Sequence, residues 1–340
     1  MSCAGPAVPP SGASASAPPA ALSTPAPAGK LVVYSALNEA TNIAFERAFN
    51  KAHPAVQVEF YTLAASGDLQ ARIQAERAAP KADVFLGGSS EFHEPLAWEG
   101  LLESYLSPGA APITSSFKDP QGRWTGWYLG IFGLMVNRER WSQERSGKSV
   151  PASWDDLLDP ALEREVAMPD PSKTGGGYIF LASQLFRFKR DEAAALSYMK
   201  RLHTQVGQYT DISPKTIDLV GQGKFLLGLN WGHDILTAAR AGSPVEFVVP
   251  PETACEVGAV SIVKGGPNPI AARAFVDWVL SREAAVINAT QSNRLSVLKD
   301  VAPVAGAPTL EKVRLVEYDR AWATDIKDRL VRLWQMEVGR

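Results

Sequence analysis

The sequence predicts an α/β fold built from two domains, and three observations lead to this prediction. Between Leu31 and Leu86, three short β-rich runs alternate with two amphipathic stretches, the order typical of a parallel sheet with helical crossovers. The β-type run from Trp124 to Asn137 is long enough to leave one domain and enter another. The chain of 340 residues is long enough for two domains of ordinary size.

Helical and strand periodicities place the elements along the chain. Strands are predicted at 31–35, 56–61, 82–86, 225–230, 245–249 and 256–263, the last of which would return the chain to the first domain. Helices are predicted at 40–52, 68–79, 191–203, 271–280 and 311–336, with shorter ones beginning near Trp154 and Ile212. The regular spacing of apolar side chains in the last segment indicates one long packed helix.

Small polar residues follow each of the first three predicted strands. In open α/β sheets ligands bind beyond the carboxyl ends of the strands, so we expect these three loops to converge on one cleft. Their hydroxyl, amide and small side chains predict a polar ligand. The candidate residues are Ser35, Asn38, Ser66, Gly67, Ser89 and Ser90.

The stretch from Met168 to Tyr178 has the composition of an anion site. Two prolines prevent a helix from beginning before Ser172, and Ser172 or Thr174 stands where an N-cap belongs. The glycines that follow would leave backbone N–H groups uncovered at the positive end of the helix dipole. The candidate anion ligands are Ser172, Lys173, Thr174, Gly175 and Gly176. A glycine-rich cap without a ligand is the alternative, and neither a P-loop nor a dinucleotide-binding pattern is present.

Trp231, His233 and Asp234 follow the predicted strand at 225–230. This combination at a strand end suits the recognition of hydroxyls or of an ammonium group. The alternative for His233 is a buried histidine whose hydrogen bonds are satisfied within the core.

The composition does not favour several other classes of protein. The net charge is −2 and no basic stripe occurs, which argues against a nucleic-acid partner. No apolar run is long enough to span a bilayer. The four histidines are scattered and no Cys/His cluster has zinc spacing, so we expect no metal site and no cofactor. The two cysteines, Cys3 and Cys255, lie in different contexts, which argues against a disulfide.

Residues 1–29 are mainly Ala, Pro, Ser and Gly, a composition that predicts a disordered tether. The opening Met-Ser-Cys-Ala-Gly resembles the mature end of a bacterial lipoprotein after removal of its signal peptide. On this hypothesis Cys3 carries the lipid and is the link to the membrane. The alternative is that the sequence begins at an arbitrary point.

Eight short stretches occur in an order that is hard to obtain by chance. They are 31–35 (LVVYS), 82–84 (ADV), 100–105 (GLLESY), 122–127 (GRWTGW), 153–160 (SWDDLLDP), 168–172 (MPDPS), 256–260 (EVGAV) and 275–281 (FVDWVLS). Together they resemble type II periplasmic solute-binding proteins of bacterial ABC importers. The most similar group is the one that binds ferric iron, hexose phosphates or aminoethylphosphonate, and the resemblance extends from Lys30 to about Asp300.

The resemblance implies two lobes, each a mainly parallel sheet flanked by helices, joined by two crossing hinge strands. The expected division is 30–128 with 253–340 in lobe 1, and 129–252 in lobe 2. It further implies a monomer in the periplasm that binds a small anionic solute between the lobes, closes around it and delivers it to an importer permease. No catalytic group is implied.

The resemblance also bears on the ligand. In ferric members of the group, a histidine on the first loop and a tyrosine pair near position 231 bind the metal. Here these positions hold Asn38 and Trp231-Gly232, which offer no anionic oxygen for Fe(III).

The phosphate part of the family pattern is retained. The resemblance implies a phosphoryl group at residues 172–176, helped by Ser35 and Ser66, and a polar tail against His233, Asp234 and Glu256. We expect Trp127 to stack on that tail. The predicted ligand is therefore a small phosphorylated or phosphonate solute, with a sugar phosphate favoured. Three alternatives stay open: a ferric-iron-binding protein, a sensor subunit that presents its ligand to a membrane kinase, and an enzyme on the same fold.

Overall fold

The computed structural model describes Met1 and residues 25–63 and 66–339. The lipidation hypothesis for Cys3 and most of the predicted tether lie outside the described residues. None of the helices in the described part combines the length and the apolar composition of a membrane span.

Strands and helices alternate through most of the described chain. The strands are β1 (Gly29–Ser35), β2 (Val56–Thr62), β3 (Val84–Ser89), β4 (Thr125–Asn137), β5 (Val166–Pro169), β6 (Val206–Thr210), β7 (Leu227–Trp231), β8 (Val245–Val248), β9 (Cys255–Ile262) and β10 (Leu295–Ser296). The helices are α1 (Glu39–Ala52), α2 (Ser66–Ala75), α3 (Ser90–Trp98), α4 (Arg138–Glu144), α5 (Gly175–Arg187), α6 (Glu192–Gln205), α7 (Ser213–Gly221), α8 (Gly232–Arg240), α9 (Pro269–Val279), α10 (Arg282–Ser292), α11 (Arg320–Asp325) and α12 (Lys327–Val338).

The strands form one mixed sheet in the order β2-β1-β3-β9-β4-β7-β5-β6. The outer strands are parallel at both ends, β2-β1-β3 on one side and β7-β5-β6 on the other. Between them β9 and β4 run antiparallel to their neighbours. The parallel strands predicted from the sequence are therefore present in each half, and antiparallel strands join them.

β4 belongs to both halves of the molecule, as its length predicted. Residues 125–131 pair with β9 and β10, whereas residues 132–137 pair with β7 and β8. β9 then returns the chain beside β3. The two halves are thus connected through two strands that pass between them.

The buried side chains form a separate core in each half. One core surrounds β1, β3, β9 and the first part of β4, and we refer to this half as lobe 1. The second core surrounds β5, β7 and the second part of β4, and this half is lobe 2. A smaller cluster that includes Met135, Val220 and Ile235 covers the other face of the lobe 2 sheet.

The predicted single helix at 311–336 is wrong in its first part, whereas residues 320–325 and 327–338 are helical as α11 and α12. Before α11 the chain runs beside the crossing segment, where Thr253 N donates to Arg314 O and Val316 N donates to Thr253 O. A helix begins only where the Asp319 carboxylate accepts a hydrogen bond from the Trp322 amide. Backbone pairing with the crossing segment thus overrides the helical spacing of the apolar side chains.

The C-terminal segment also packs differently from the expected division, which assigned 253–340 to lobe 1. Leu330 and Trp334 on α12 are buried in the core of lobe 2, and α12 lies against α5 and α6. Arg329 pairs with Glu192 on α6. The chain therefore passes between the halves a third time before it ends.

Candidate functional site

The N-terminus of α5 is built by a tight turn after β5. Thr174 is the N-cap, and its Oγ1 accepts a hydrogen bond of 3.0 Å from Gly177 N and donates one of 3.0 Å to Asp170 O. Ser172 donates from its amide and its hydroxyl to Asp170 Oδ1 at 2.8 and 2.6 Å. Gly177 must lack a side chain because a Cβ there would lie 2.5 Å from Pro169 O. The hydroxyls of Ser172 and Thr174 thus shape the turn, and their protons are already donated.

The donors left at this turn are backbone amides. Gly175 and Gly176 are the first two residues of α5, and no carbonyl within a helix reaches amides at these positions. A Cβ on Gly175 would meet nothing within 4 Å, and the residue is exposed. A Cβ on Gly176 would lie 3.2 Å from Trp231 Nε1, so the indole N–H lies beside this turn. Together with the exposed Lys173, these groups favour an anion.

The start of α8 continues the site from Trp231. The rings of Trp231 and His233 are stacked with centroids 6.2 Å apart. Burial lowers the pKa of His233 well below its usual value, with a further contribution from Arg294, and keeps the imidazole neutral. His233 Nε2 lies 3.6 Å from Asp234 Oδ1. The predicted pair at this strand end is therefore adjacent to the α5 turn through Trp231.

Glu256 and Arg294 approach Asp234 from two other elements. Arg294 follows α10, and its Nε lies 3.8 Å from Glu256 Oε1 on β9. Its guanidinium lies 4.9 Å from the ring centroid of Tyr128 on β4. A Cβ on Gly130 would lie 2.6 Å from the Glu256 carboxyl, so the glycine makes room for this side chain against β4.

Burial, together with the neighbouring charges, shifts the pKa values of the members of this cluster. Burial raises the pKa of Glu256 and of Asp234, and Arg294 partly offsets both shifts. For Arg294, burial acts to lower the pKa, but Tyr128, Glu256 and Asp234 offset it and the pKa is raised. Two carboxyl groups thus share one buried guanidinium, so this end of the site is rich in acceptors and is linked to the donor-rich turn of α5 through His233 and Trp231.

Tyr128 connects the cluster to the loops of lobe 1. Its hydroxyl interacts with the backbone of Gly88, and burial raises its pKa to about 12. A Cβ on Gly88 would overlap the Ser66 hydroxyl, so Ser66 lies directly against this glycine. Gly67 follows Ser66 at the start of α2. Of the three predicted lobe 1 loops, those at Ser66 and at Gly88 therefore reach the site.

Several predicted residues have structural contacts instead. Ser35 is fully buried, where it donates to Asn42 Oδ1 and accepts from Leu37 N, so the predicted role at the phosphoryl end is corrected to a loop contact. Asn38 and Ser89 are N-caps of α1 and α3. Ser90 is buried, and its hydroxyl has no hydrogen-bond partner among the described residues.

The stacking role expected of Trp127 is wrong. Trp127 is 2% exposed and packs against Phe45 in the core of lobe 1, with its indole N–H donating to Ala259 O. Tyr128, whose ring lies against the Arg294 guanidinium, is the aromatic residue of this strand that reaches the cluster.

The sequence analysis missed Arg294 and Tyr128. A single arginine after a helix carries no pattern that separates it from a surface arginine. Its importance follows only from the pairing of β10 with β4, which brings the preceding turn to the crossing strands. Among the described residues, no group of three or more His, Cys, Asp and Glu side chains is placed to hold a metal ion.

Comparisons with known proteins agree on the family. Residues 79–322 match the family model of bacterial extracellular solute-binding proteins. An uncharacterized protein of Haemophilus influenzae is 36% identical over 326 residues, which cover 91% of either chain. A Salmonella typhi periplasmic protein named for binding 2-aminoethylphosphonate is 23% identical over 249 residues, or 72% of this chain and 70% of that protein.

A solved structure supports the same assignment. The periplasmic binding protein AfuA from Actinobacillus pleuropneumoniae, with exogenous fructose-6-phosphate bound, is 31% identical and superposes with a TM-score of 0.73. The similarity covers 92% of this chain and 99% of AfuA, which confirms the α/β fold of type II periplasmic binding proteins. The chain therefore belongs to the bacterial extracellular solute-binding protein family, whose members are periplasmic binding components of ABC transporters and not enzymes.

Proposed function

We propose that this protein captures a small phosphorylated or phosphonate solute between its lobes and delivers it to the permease of an ABC importer. A sugar phosphate is the favoured ligand. The observation that carries the proposal is the continuous arrangement of a donor-rich turn at Gly175 and Gly176, the Trp231 and His233 rings, and an acceptor-rich end at Asp234 and Glu256.

The two ends suit the two parts of such a ligand. A phosphoryl group offers only acceptors at neutral pH, and the amides at the positive end of α5 are donors. The hydroxyls of a sugar can donate to the carboxylates of Asp234 and Glu256. A second phosphoryl group would be repelled there. The fructose-6-phosphate in AfuA and the aminoethylphosphonate of the Salmonella relative's name are consistent with this ligand class.

The phosphoryl end can be tested by removing one amide proton. Gly175 is the first helical residue, a position where proline is well accepted, and Thr174 before it has φ −123° and ψ 144°, which proline tolerates in its neighbour. Gly175→Pro should weaken the binding of fructose 6-phosphate and of inorganic phosphate alike by roughly ten- to a hundredfold, which is the contribution of one charge-assisted hydrogen bond. Gly175→Ala is the matched control, because it keeps the N–H and its methyl group meets open space.

The tail end can be tested with Asp234→Asn. We expect this variant to bind fructose 6-phosphate roughly tenfold or more weakly and to bind inorganic phosphate with unchanged affinity, since only the sugar phosphate has hydroxyls that can donate to the carboxylate. Isothermal titration calorimetry provides both dissociation constants. Equal losses for the two ligands would contradict the orientation, and binding of Fe(III) by wild type without binding of any organophosphate would contradict the ligand class.

A further inference from the structure

We infer that Arg294 determines ligand specificity by binding, together with Glu256, one hydroxyl group of the ligand tail, so that the site selects a hydroxyl over an ammonium group. This inference deepens the proposed function and rests on it. The sequence patterns and the family comparison assign no role to this arginine.

The position of Arg294 is fixed from both lobes. The preceding residue, Asn293, has a left-handed backbone conformation with φ 56°, and its Nδ2 donates to Thr237 Oγ1 on α8 at 2.8 Å. Thr237 in turn donates to His233 O at 2.7 Å. The turn after α10 in lobe 1 is thereby held against the helix of lobe 2 that carries His233 and Asp234.

The Arg294 side chain has an unfilled hydrogen-bonding capacity. It is only 17% exposed, and its Nε makes no hydrogen bond with any of the described residues. The distance of 3.8 Å to Glu256 Oε1 is too long for a hydrogen bond. The buried Arg294 Nε thus faces the Glu256 carboxylate across a distance too long for an Nε–Oε1 hydrogen bond, and its N–H costs free energy until a partner satisfies it.

The partner that satisfies both groups is a hydroxyl. A hydroxyl accepts a hydrogen bond through its oxygen and donates one through its proton, so it can bridge Arg294 and Glu256. An ammonium has donors and no acceptor, and would leave the guanidinium unsatisfied and next to a like charge. The groups that face Arg294 are Glu256 on β9, Asp234 and His233 on α8, and Tyr128 on β4.

The charge balance adds to this selectivity. When both carboxyl groups are ionised and His233 is neutral, they sum with the guanidinium to −1. Without Arg294 the same end would carry −2 and would attract a cation more strongly. Arg294 therefore weakens the binding of a cationic tail, whereas Asp234 and Glu256 weaken the binding of an anionic one.

The test is calorimetric titration of wild type, Arg294→Gln and Arg294→Lys with fructose 6-phosphate, 2-aminoethylphosphonate and inorganic phosphate. Arg294→Gln should bind fructose 6-phosphate roughly tenfold or more weakly and inorganic phosphate with an affinity within about threefold of wild type. It should bind 2-aminoethylphosphonate more tightly than wild type does. Arg294→Lys keeps the charge and serves if the glutamine variant does not fold; it should weaken the sugar phosphate without tightening the aminophosphonate. Arg282→Gln, which removes an exposed ion pair with Asp300 at the start of the helix that precedes Arg294, should change none of these affinities.

Other outcomes separate the inference from the proposed function. Equal weakening of all three ligands in Arg294→Gln would mean that the guanidinium binds the phosphoryl group, and would overturn the inference. Unchanged affinities would remove Arg294 from the site and would overturn it as well. If wild type binds none of the three ligands, the proposed function itself fails.

Discussion

His93 lies beneath the glycine turn that forms the lobe 1 side of the cleft. It is fully buried, its ring is stacked on Phe85 with centroids 4.0 Å apart, and its nitrogens bond to Gly87 O and Ser261 Oγ at 3.0 and 2.9 Å. Burial lowers the pKa of His93 to about 4, so the neutral imidazole holds the turn next to Gly88.

This shift predicts a specific loss of stability in acid. The unfolded chain takes up a proton at His93 near the ordinary pKa of 6.5, whereas the folded protein does so only near 4. The contribution of His93 to the free energy of unfolding is therefore fully present above pH 6.5, and it should fall by about 3 kcal/mol as the pH drops to 4. Urea unfolding of wild type and His93→Gln between these pH values checks this prediction. The difference in the free energy of unfolding between wild type and His93→Gln should become smaller toward acid pH. A difference that stays constant over this pH range would contradict the prediction.

For single residues, the sequence predicted which chemical groups belong to the site better than it predicted where each side chain lies. Asp234 and Glu256 were chosen from their type and their position in the family pattern, and both are in the cluster. Trp127 was also chosen by type, but it lies at an irregularity in the pairing of β4 with β9 and is buried, whereas Tyr128 lies against Arg294. A single sequence does not reveal such an irregularity, which changes where the side chains of the strand lie.

At the scale of elements, the two C-terminal helices, α11 and α12, contact both halves of the molecule. Trp334 on α12 is fully buried in lobe 2 and packs on Tyr209 with centroids 5.5 Å apart. At the preceding α11, Arg320 pairs with Glu91 of α3 at 3.1 Å and donates to Cys255 O at 3.2 Å. Residues 320–338 thus contribute to the core of one lobe and to a partly buried ion pair with the other.

This packing predicts a large effect at one position of α12 and a small effect two residues away. Trp334→Ala should lower the free energy of unfolding by about 3–5 kcal/mol, because it leaves a cavity in the core of lobe 2. Met336→Ala on the same helix removes a side chain that is 76% exposed and should change it by less than about 0.5 kcal/mol. Chemical denaturation measures both. Similar small effects for the two variants would show that α12 contributes little to the core.

The elements of the first half could be predicted from their periodicity, whereas the end of the chain could not. The alternation of strands and helices before Ser89 follows local patterns, and the structure contains those elements with bounds shifted by a few residues. The segment after Glu311 has equally regular spacing, but it forms backbone bonds to Thr253, which is distant in sequence. Local spacing does not reveal such a partner, and it also gave no indication of α8 or α10.

At the scale of the whole molecule, the site lies where strands from both lobes cross. The donor-rich turn belongs to lobe 2, Ser66 and Arg294 belong to lobe 1, and Glu256 is on the strand that returns between them. A ligand that contacts both ends would favour the arrangement in which the lobes are close, which is how binding could be signalled to a permease.

The most direct test of this account is a crystal structure of the protein with fructose 6-phosphate. We predict the phosphoryl oxygens within hydrogen-bond distance of the amides of Gly175 and Gly176, and at least one sugar hydroxyl between Arg294 and Glu256. A phosphoryl group bound at Arg294, with the sugar toward α5, would contradict the account.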